Sequence, residues 1–191
     1  ALVSADFPYG PLQEGVDSAL RAAIRLVKEA GIDLLKLDGA ADYPEAVEAL
    51  TRAGIPVWAQ FGLTPQTALA TGIPYENQAD ATEAAPGMEA RLIAEAKAME
   101  AAGAVLLDFT NSGPVIGPKV VEAVSIPVIG GFGGGPWLDG RVRLAQAAVG
   151  YNVAALDKEP SGYANIARTI HDALSECAED VRSGRQIKGQ P

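Results

Sequence analysis

Four stretches of the chain share one grammar: KEAGIDLLKLDG at 28–39, TRAGIPVWAQFG at 51–62, MEAAGAVLLDFT at 99–110 and VEAVSIPVIGGFG at 121–133. Each runs from the end of an Ala/Glu/Lys-rich helical pattern, usually through a glycine, into a short run of Ile, Leu and Val. Glycine suits the left-handed residue that ends a helix, and unbroken hydrophobicity suits a strand buried on both faces. The unit is therefore helix, turn, strand, repeated. The spacing predicts strands near 2–6, 33–38, 56–61, 104–109 and 127–131, with a sixth near 149–154. Helical spacing covers 14–30, where Val16, Leu20, Ala23, Ile24 and Val27 form one stripe, and recurs over 44–53, 88–102, 118–124, 140–148 and 161–183. Between the second and third units lies an insertion rich in Thr, Gly, Pro and Asn, approximately 63–87, and such inserted loops commonly carry function.

Alternating strands and helices imply a parallel sheet, either an open doubly wound layer or a closed barrel. A barrel of eight units typically needs ~250 residues, so 191 residues with about six units fall about two units short. The opening, ALVSADFP, reads as the middle of a strand, and the natural start is expected to lie upstream. One domain over 1–191 is expected.

Composition narrows the partners. Fifteen Lys+Arg against 24 Asp+Glu give a net charge of −9 with no basic cluster, which argues against a grip on nucleic-acid phosphates. Apolar runs such as AVLL at 104–107 are far too short to span a bilayer, so no membrane partner is expected. The single cysteine, Cys177, allows neither an internal disulfide nor a cysteine metal site; a reducing, cytoplasmic setting fits.

Chemistry in parallel α/β folds gathers at the carboxyl ends of the strands. Here those ends carry Asp6, Lys36 with Asp38, Gln60, Asp108, and the glycine-rich run GGFGGG at 130–135. Period-two alternation points Lys36 and Asp38 the same way, and Ser4 with Asp6. Buried acids and lysines are costly unless paired or metal-bound. Three carboxylates and a lysine at one mouth therefore suggest a site for a divalent cation and an oxyanion. The plainer readings are an N-cap or Asx turn for each Asp, an edge lysine, and a tight turn for the glycines. His171, the only histidine, falls in the last helical pattern, so His-based triads and zinc sites have no support.

The ordered set ADFPYG (5–10), LLKLDGA (34–40), GIPVWAQFGLTPQ (54–66), AMEAAGAVLLDF (98–109), SIPVIGGFGGG (125–135) and LDGRV (138–142) resembles the ketopantoate hydroxymethyltransferase family. That family lies within the phosphoenolpyruvate mutase/isocitrate lyase superfamily of (β/α)8 TIM-type barrels. The resemblance implies an α-keto acid substrate (3-methyl-2-oxobutanoate or an analogue), Mg²⁺, 5,10-methylenetetrahydrofolate as cosubstrate, a role in pantothenate biosynthesis, and a homo-oligomer. By the same resemblance Asp6 and Asp38 are metal ligands, Lys36 contacts the substrate, Asp108 is the base, and Gln60 stands where the family has a histidine. Asp108 is one methylene shorter than the family's glutamate, and Thr110-Asn111 replace an apolar-proline pair. Two other readings stay open: a metal-dependent C–C lyase or aldolase of the superfamily, motivated by Gln60 and Asp108, and a non-catalytic homologue that binds a small acid.

Overall fold

The computed structural model describes residues 1–64, 66, 70, 72, 86–130, 134–153, 156 and 162–189. Residues 1–142 and 143–191 form two compact units. The first is a six-stranded parallel sheet: β1 (Ser4–Asp6), β2 (Leu34–Leu37), β3 (Val57–Gly62), β4 (Leu106–Thr110), β5 (Val128–Gly130) and β6 (Gly140–Arg141). Each strand pairs with the next in sequence. A doubly wound sheet reverses its strand order at a switch point. This order never reverses, which is the progression of a barrel wall.

Helices α1 (Val16–Arg25), α2 (Pro44–Arg52), α3 (Met88–Ala101) and α4 (Ile116–Glu122) follow the same progression, α1 on α2, α2 on α3, and α3 on α4. The expected helix over 14–30 is α1 plus a π-helical turn at Leu26–Ala30, ended by Gly31 at φ 64. Gly54 and Gly103 likewise take positive φ where a helix gives way to a strand. The glycine at the turn in three of the four stretches thus does what its position implies.

Leu35, Leu37, Val57, Ala59, Phe61, Leu107, Phe109 and Val128 alternate along the strands and are buried in one core with Val47, Leu50, Leu92, Met99 and Val120 of the helices. Phe61 and Phe109 stand opposite each other in register and stack with ring centroids 4.9 Å apart. Such a pair adds roughly 0.5–1.5 kcal/mol beyond its buried area. Beside it Gly62 has φ 90, and a Cβ there would meet the Thr110 carbonyl oxygen at 2.9 Å and the Phe109 ring at 3.3 Å. Gly62→Ala is expected to destabilise by about 1–3 kcal/mol, from left-handed strain and this collision. Urea unfolding checks it; a midpoint equal to wild type would contradict the packing.

The sixth strand corrects the sequence reading. It is Gly140–Arg141, pairing with Ile129 and Gly130, where the spacing suggested the start of a helix. Residues 149–153 form no strand; Val149 follows a short helix, α5 (Ala145–Ala148). Strand β6 is a backbone pairing with almost no hydrophobic run to announce it.

In the second unit the chain after α5 is tied to the start of α6 (Ile166–Ser183): Tyr163 N–H donates to the Ala148 carbonyl and Ala167 N–H to that of Gly150. Asn165 caps α6 by accepting from the Arg168 N–H at 2.9 Å, and Gly184 at φ 70 ends it. Exposed His171 and Cys177 lie on α6.

Candidate active site

The core side chains occupy one face of the sheet; the polar strand-end residues occupy the other. Register fixes this without ambiguity. Asp6 stands opposite Lys36, Lys36 opposite Trp58, and Gln60 opposite Asp108, with Thr110 two residues beyond on the same face. All the expected residues within the strands therefore share a face, at the carboxyl edge.

Lys36 is the hub. Its Nζ lies 3.0 Å from Asp6 Oδ1 and 3.4 Å from Asp108 Oδ2, and 5.4 Å above the centroid of the Trp58 ring. Burial pulls the lysine pKa down, but the hydrogen bond that Lys36 donates to Asp6 and the charges of Asp108 and Asp6 outweigh it and hold it above the ordinary lysine value. Lys36 is therefore a fixed cation at neutral pH. Its two partners differ sharply: the Asp6 side chain is 81% exposed, that of Asp108 only 1%.

Asp38 follows β2 and is half-buried. Burial raises its pKa, opposed by the Thr64 hydroxyl, the Lys36 charge and the backbone N–H groups of Gly39 and Gln66. Its Oδ1 is buried with no hydrogen-bond partner among the described residues. A carboxyl whose folded pKa is raised binds its proton more tightly than the unfolded chain does. Stability should therefore fall as pH rises from the ordinary Asp value through the folded one. Asp38→Asn should remove that slope in acid titrations of stability; an unchanged slope would contradict the environment described.

An orphaned carboxylate oxygen is what a hard cation satisfies. Mg²⁺ needs only one or two protein carboxylates, the rest being substrate and water, and the orphaned Asp38 oxygen is a donor of that kind. Among the described residues no three His, Cys, Asp or Glu side chains are grouped so as to hold a metal ion, so the three carboxylates that the strand ends suggested do not form one cluster there.

Gln60 turns toward the same edge but pairs with a neutral group: Nε2 donates to Thr110 Oγ1 at 2.8 Å, both residues buried. The next residue, Asn111, has φ 59 and donates from Nδ2 to the Leu63 carbonyl at 2.9 Å. Proline is locked near φ −65°, so this turn is one that a proline at 111 would not allow. Trp58 and Thr110 are the site residues that sequence reasoning missed, although period two from Lys36 through the register, and from Asp108, places them there. Of the glycine-rich run at 130–135, residues 131–133 lie outside the described residues, as does most of the 63–87 insertion.

A parallel sheet whose strands pair in sequence order, with an acid–lysine–acid bridge at its carboxyl edge, defines an α/β protein of the barrel-forming kind. The match to the family model "Ketopantoate hydroxymethyltransferase" spans residues 1–186, and the chain belongs to that family. It is 36% identical over 179 residues to the 3-methyl-2-oxobutanoate hydroxymethyltransferase of Halalkalibacterium halodurans, covering 94% of this chain and 62% of that protein. It is 36% identical over 184 residues to that of Streptomyces coelicolor, covering 96% and 61%. The chain thus spans about three fifths of these relatives' length. In fold it is similar to 2,3-dimethylmalate lyase, a PEP mutase/isocitrate lyase superfamily member, at TM-score 0.52 and 16% identity, covering 98% of this chain and 63% of that one.

Proposed function

We propose that this chain is part of a Mg²⁺-dependent hydroxymethyltransferase that converts an α-keto acid, 3-methyl-2-oxobutanoate or an analogue, with 5,10-methylenetetrahydrofolate as the one-carbon donor. The observation that carries the reading is the bridge Asp6–Lys36–Asp108 on the polar face of the sheet, in a member of this family. The setting is an eight-unit barrel, of which this chain supplies about six units, in a cytoplasmic homo-oligomer serving pantothenate biosynthesis.

The chemistry follows from the side chains. Asp108 is the base that takes the proton from C3 of the keto acid; its burial keeps water from competing for that proton. Lys36 has three N–H donors, two directed at Asp6 and Asp108, leaving the third for a substrate oxygen that gains negative charge as the proton leaves. Asp6 and Asp38 would hold Mg²⁺, which when bound polarises the keto and carboxylate oxygens and lowers the cost of the enolate. Gln60 closes the far side of the site against Thr110.

The enolisation half-reaction needs no folate. Incubated in D₂O with 3-methyl-2-oxobutanoate, the protein should exchange deuterium into C3 in the presence of Mg²⁺ and far more slowly with chelator, as followed by NMR. Exchange at the uncatalysed rate under both conditions would sink the proposal.

A further inference from the structure

Lys36 and Asp108 pair across a gap that the sheet itself creates. Lys36 is on β2 and Asp108 on β4, with β3 between them. Neighbouring strands are ~4.8 Å apart, so the lysine reaches across two spacings, about 10 Å of sheet, to bring Nζ within 3.4 Å of the carboxylate. The β3 residue that register sets beside Lys36 on the polar face is Trp58, itself opposite Leu106 on β4. Asp108 stands two residues beyond Leu106, so the path from Lys36 to Asp108 runs diagonally over position 58. Half-buried Trp58 fills that position, and Nζ sits over its ring at 5.4 Å from the centroid.

The ring acts on the charge itself. An aromatic face attracts an ammonium at such distances through its quadrupole, and an aliphatic side chain does not. Asp6 lies one strand away on the other side of β2 and already holds Nζ at 3.0 Å. A lysine stem is flexible, and holding it extended costs entropy. Without the ring, the nearer and solvent-exposed Asp6 would keep the ammonium on its own side. With it, Nζ is drawn toward β4 and the two carboxylates share it. No hydrogen bond sets where the indole lies, since Trp58 Nε1 is buried without a partner among the described residues. Phenylalanine, which has no donor to bury, would serve packing alone equally well. The Lys36 side chain keeps 19% of its surface, so the ammonium is held without being sealed off.

We propose that Trp58 is a positioning residue: its ring carries the Lys36 ammonium across β3 to Asp108 and so aims the remaining lysine N–H at the substrate oxygen that gains charge. The inference rests on the keto-acid reading of the site and adds to it a residue that acts through the lysine.

The contact and its consequence are measured separately on the full chain. In lysine-labelled protein, with the Lys36 resonance assigned by its loss in Lys36→Arg, NMR should show the ε-CH₂ protons shifted upfield by the ring current. The shift should persist in Trp58→Phe and vanish in Trp58→Leu. An unshifted Lys36 in the wild type would overturn the inference whatever the activity. The consequence is read from Mg²⁺-dependent deuterium exchange at C3 of 3-methyl-2-oxobutanoate, followed across substrate concentrations. Trp58→Leu should lower the saturated rate by about two- to thirtyfold, the range of a cation–π contact, with a smaller change in KM, because the oxygen gains its charge in the transition state. Trp58→Phe should keep most of the rate, and circular dichroism verifies that each variant is folded. In a Trp137→Phe background Trp58 is the only tryptophan, and fluorinated tryptophan there keeps the ring's shape while weakening its negative face. The rate should fall stepwise as ring fluorines are added. Equal rates for tryptophan and its fluorinated forms would overturn the inference, the ring then being filler. If the wild type exchanges no deuterium, the keto-acid reading fails and the positioning role falls with it; the ring-current shift, which needs no substrate, tells that failure from loss of the contact.

Discussion

Asp108→Asn is expected to lower Mg²⁺-dependent exchange at C3 by about 10²–10⁴-fold, the range that a positioned general base contributes. The substitution is nearly isosteric, so the Phe61–Phe109 stack beside it should persist and the protein should melt close to wild type. Lys36 keeps Asp6 at 3.0 Å as a counter-charge. Loss of exchange with the fold retained would therefore report chemistry, not collapse. Exchange that continued at the wild-type rate would remove Asp108 as the base and leave the Lys36 bridge as a purely structural ion pair.

Lys36→Met should have the larger effect on stability. It takes the lysine from a carboxylate whose side chain is 1% exposed, and breaking one half of a buried pair typically costs about 3–5 kcal/mol. Asp6, exposed to solvent, contributes little to that figure because water replaces its partner. The signature is non-additivity. The double variant Lys36→Met/Asp108→Asn removes both charges and should recover much of the loss, giving a coupling energy of the order of 1–3 kcal/mol in a denaturant-based cycle. Strict additivity would mean that the two groups do not share an interaction. The pH dependence has a definite sign as well. The folded lysine holds its proton more tightly than the unfolded one, so its contribution is complete below the ordinary lysine pKa and is lost as pH climbs through the raised value. Lys36→Met should flatten that alkaline decline.

Four of the strands were legible because each follows the end of a helical pattern with a continuous aliphatic run, and the first from its run alone, signals that rest on local backbone and on burial. The sixth escaped because Gly140–Arg141 pairs through its backbone alone, while the valines at 149 and 153 are exposed and form no strand. At the site, the strand ends placed Asp6, Lys36, Gln60 and Asp108 at one edge before any coordinates, and period two set Lys36 with Asp38 and Ser4 with Asp6, since alternation is a property of the strand itself. It could not say that Lys36 would bridge Asp6 and Asp108, because that depends on the register between strands distant in sequence. Nor could it pair Gln60 with Thr110, which needs the β3–β4 register and the close approach that Gly62 permits. Likewise Trp58 reads as an ordinary strand aromatic until its ring is found under the lysine.

The unreversed strand order has a kinetic meaning. Because every strand docks on the one before it, the sheet can grow in the direction of synthesis, each helix and strand closing onto a surface already formed. The longest stretch of chain between partners lies between β3 and β4, the pairing that brings Gln60 and Thr110 together and sets Asp108 beside them. Loop-closure entropy makes that the slowest contact to find, although doubling a loop adds only about 0.6 kcal/mol. Ordering at this seam should come late in folding, so a probe placed there would mark the moment at which a folding chain becomes a binding-competent one.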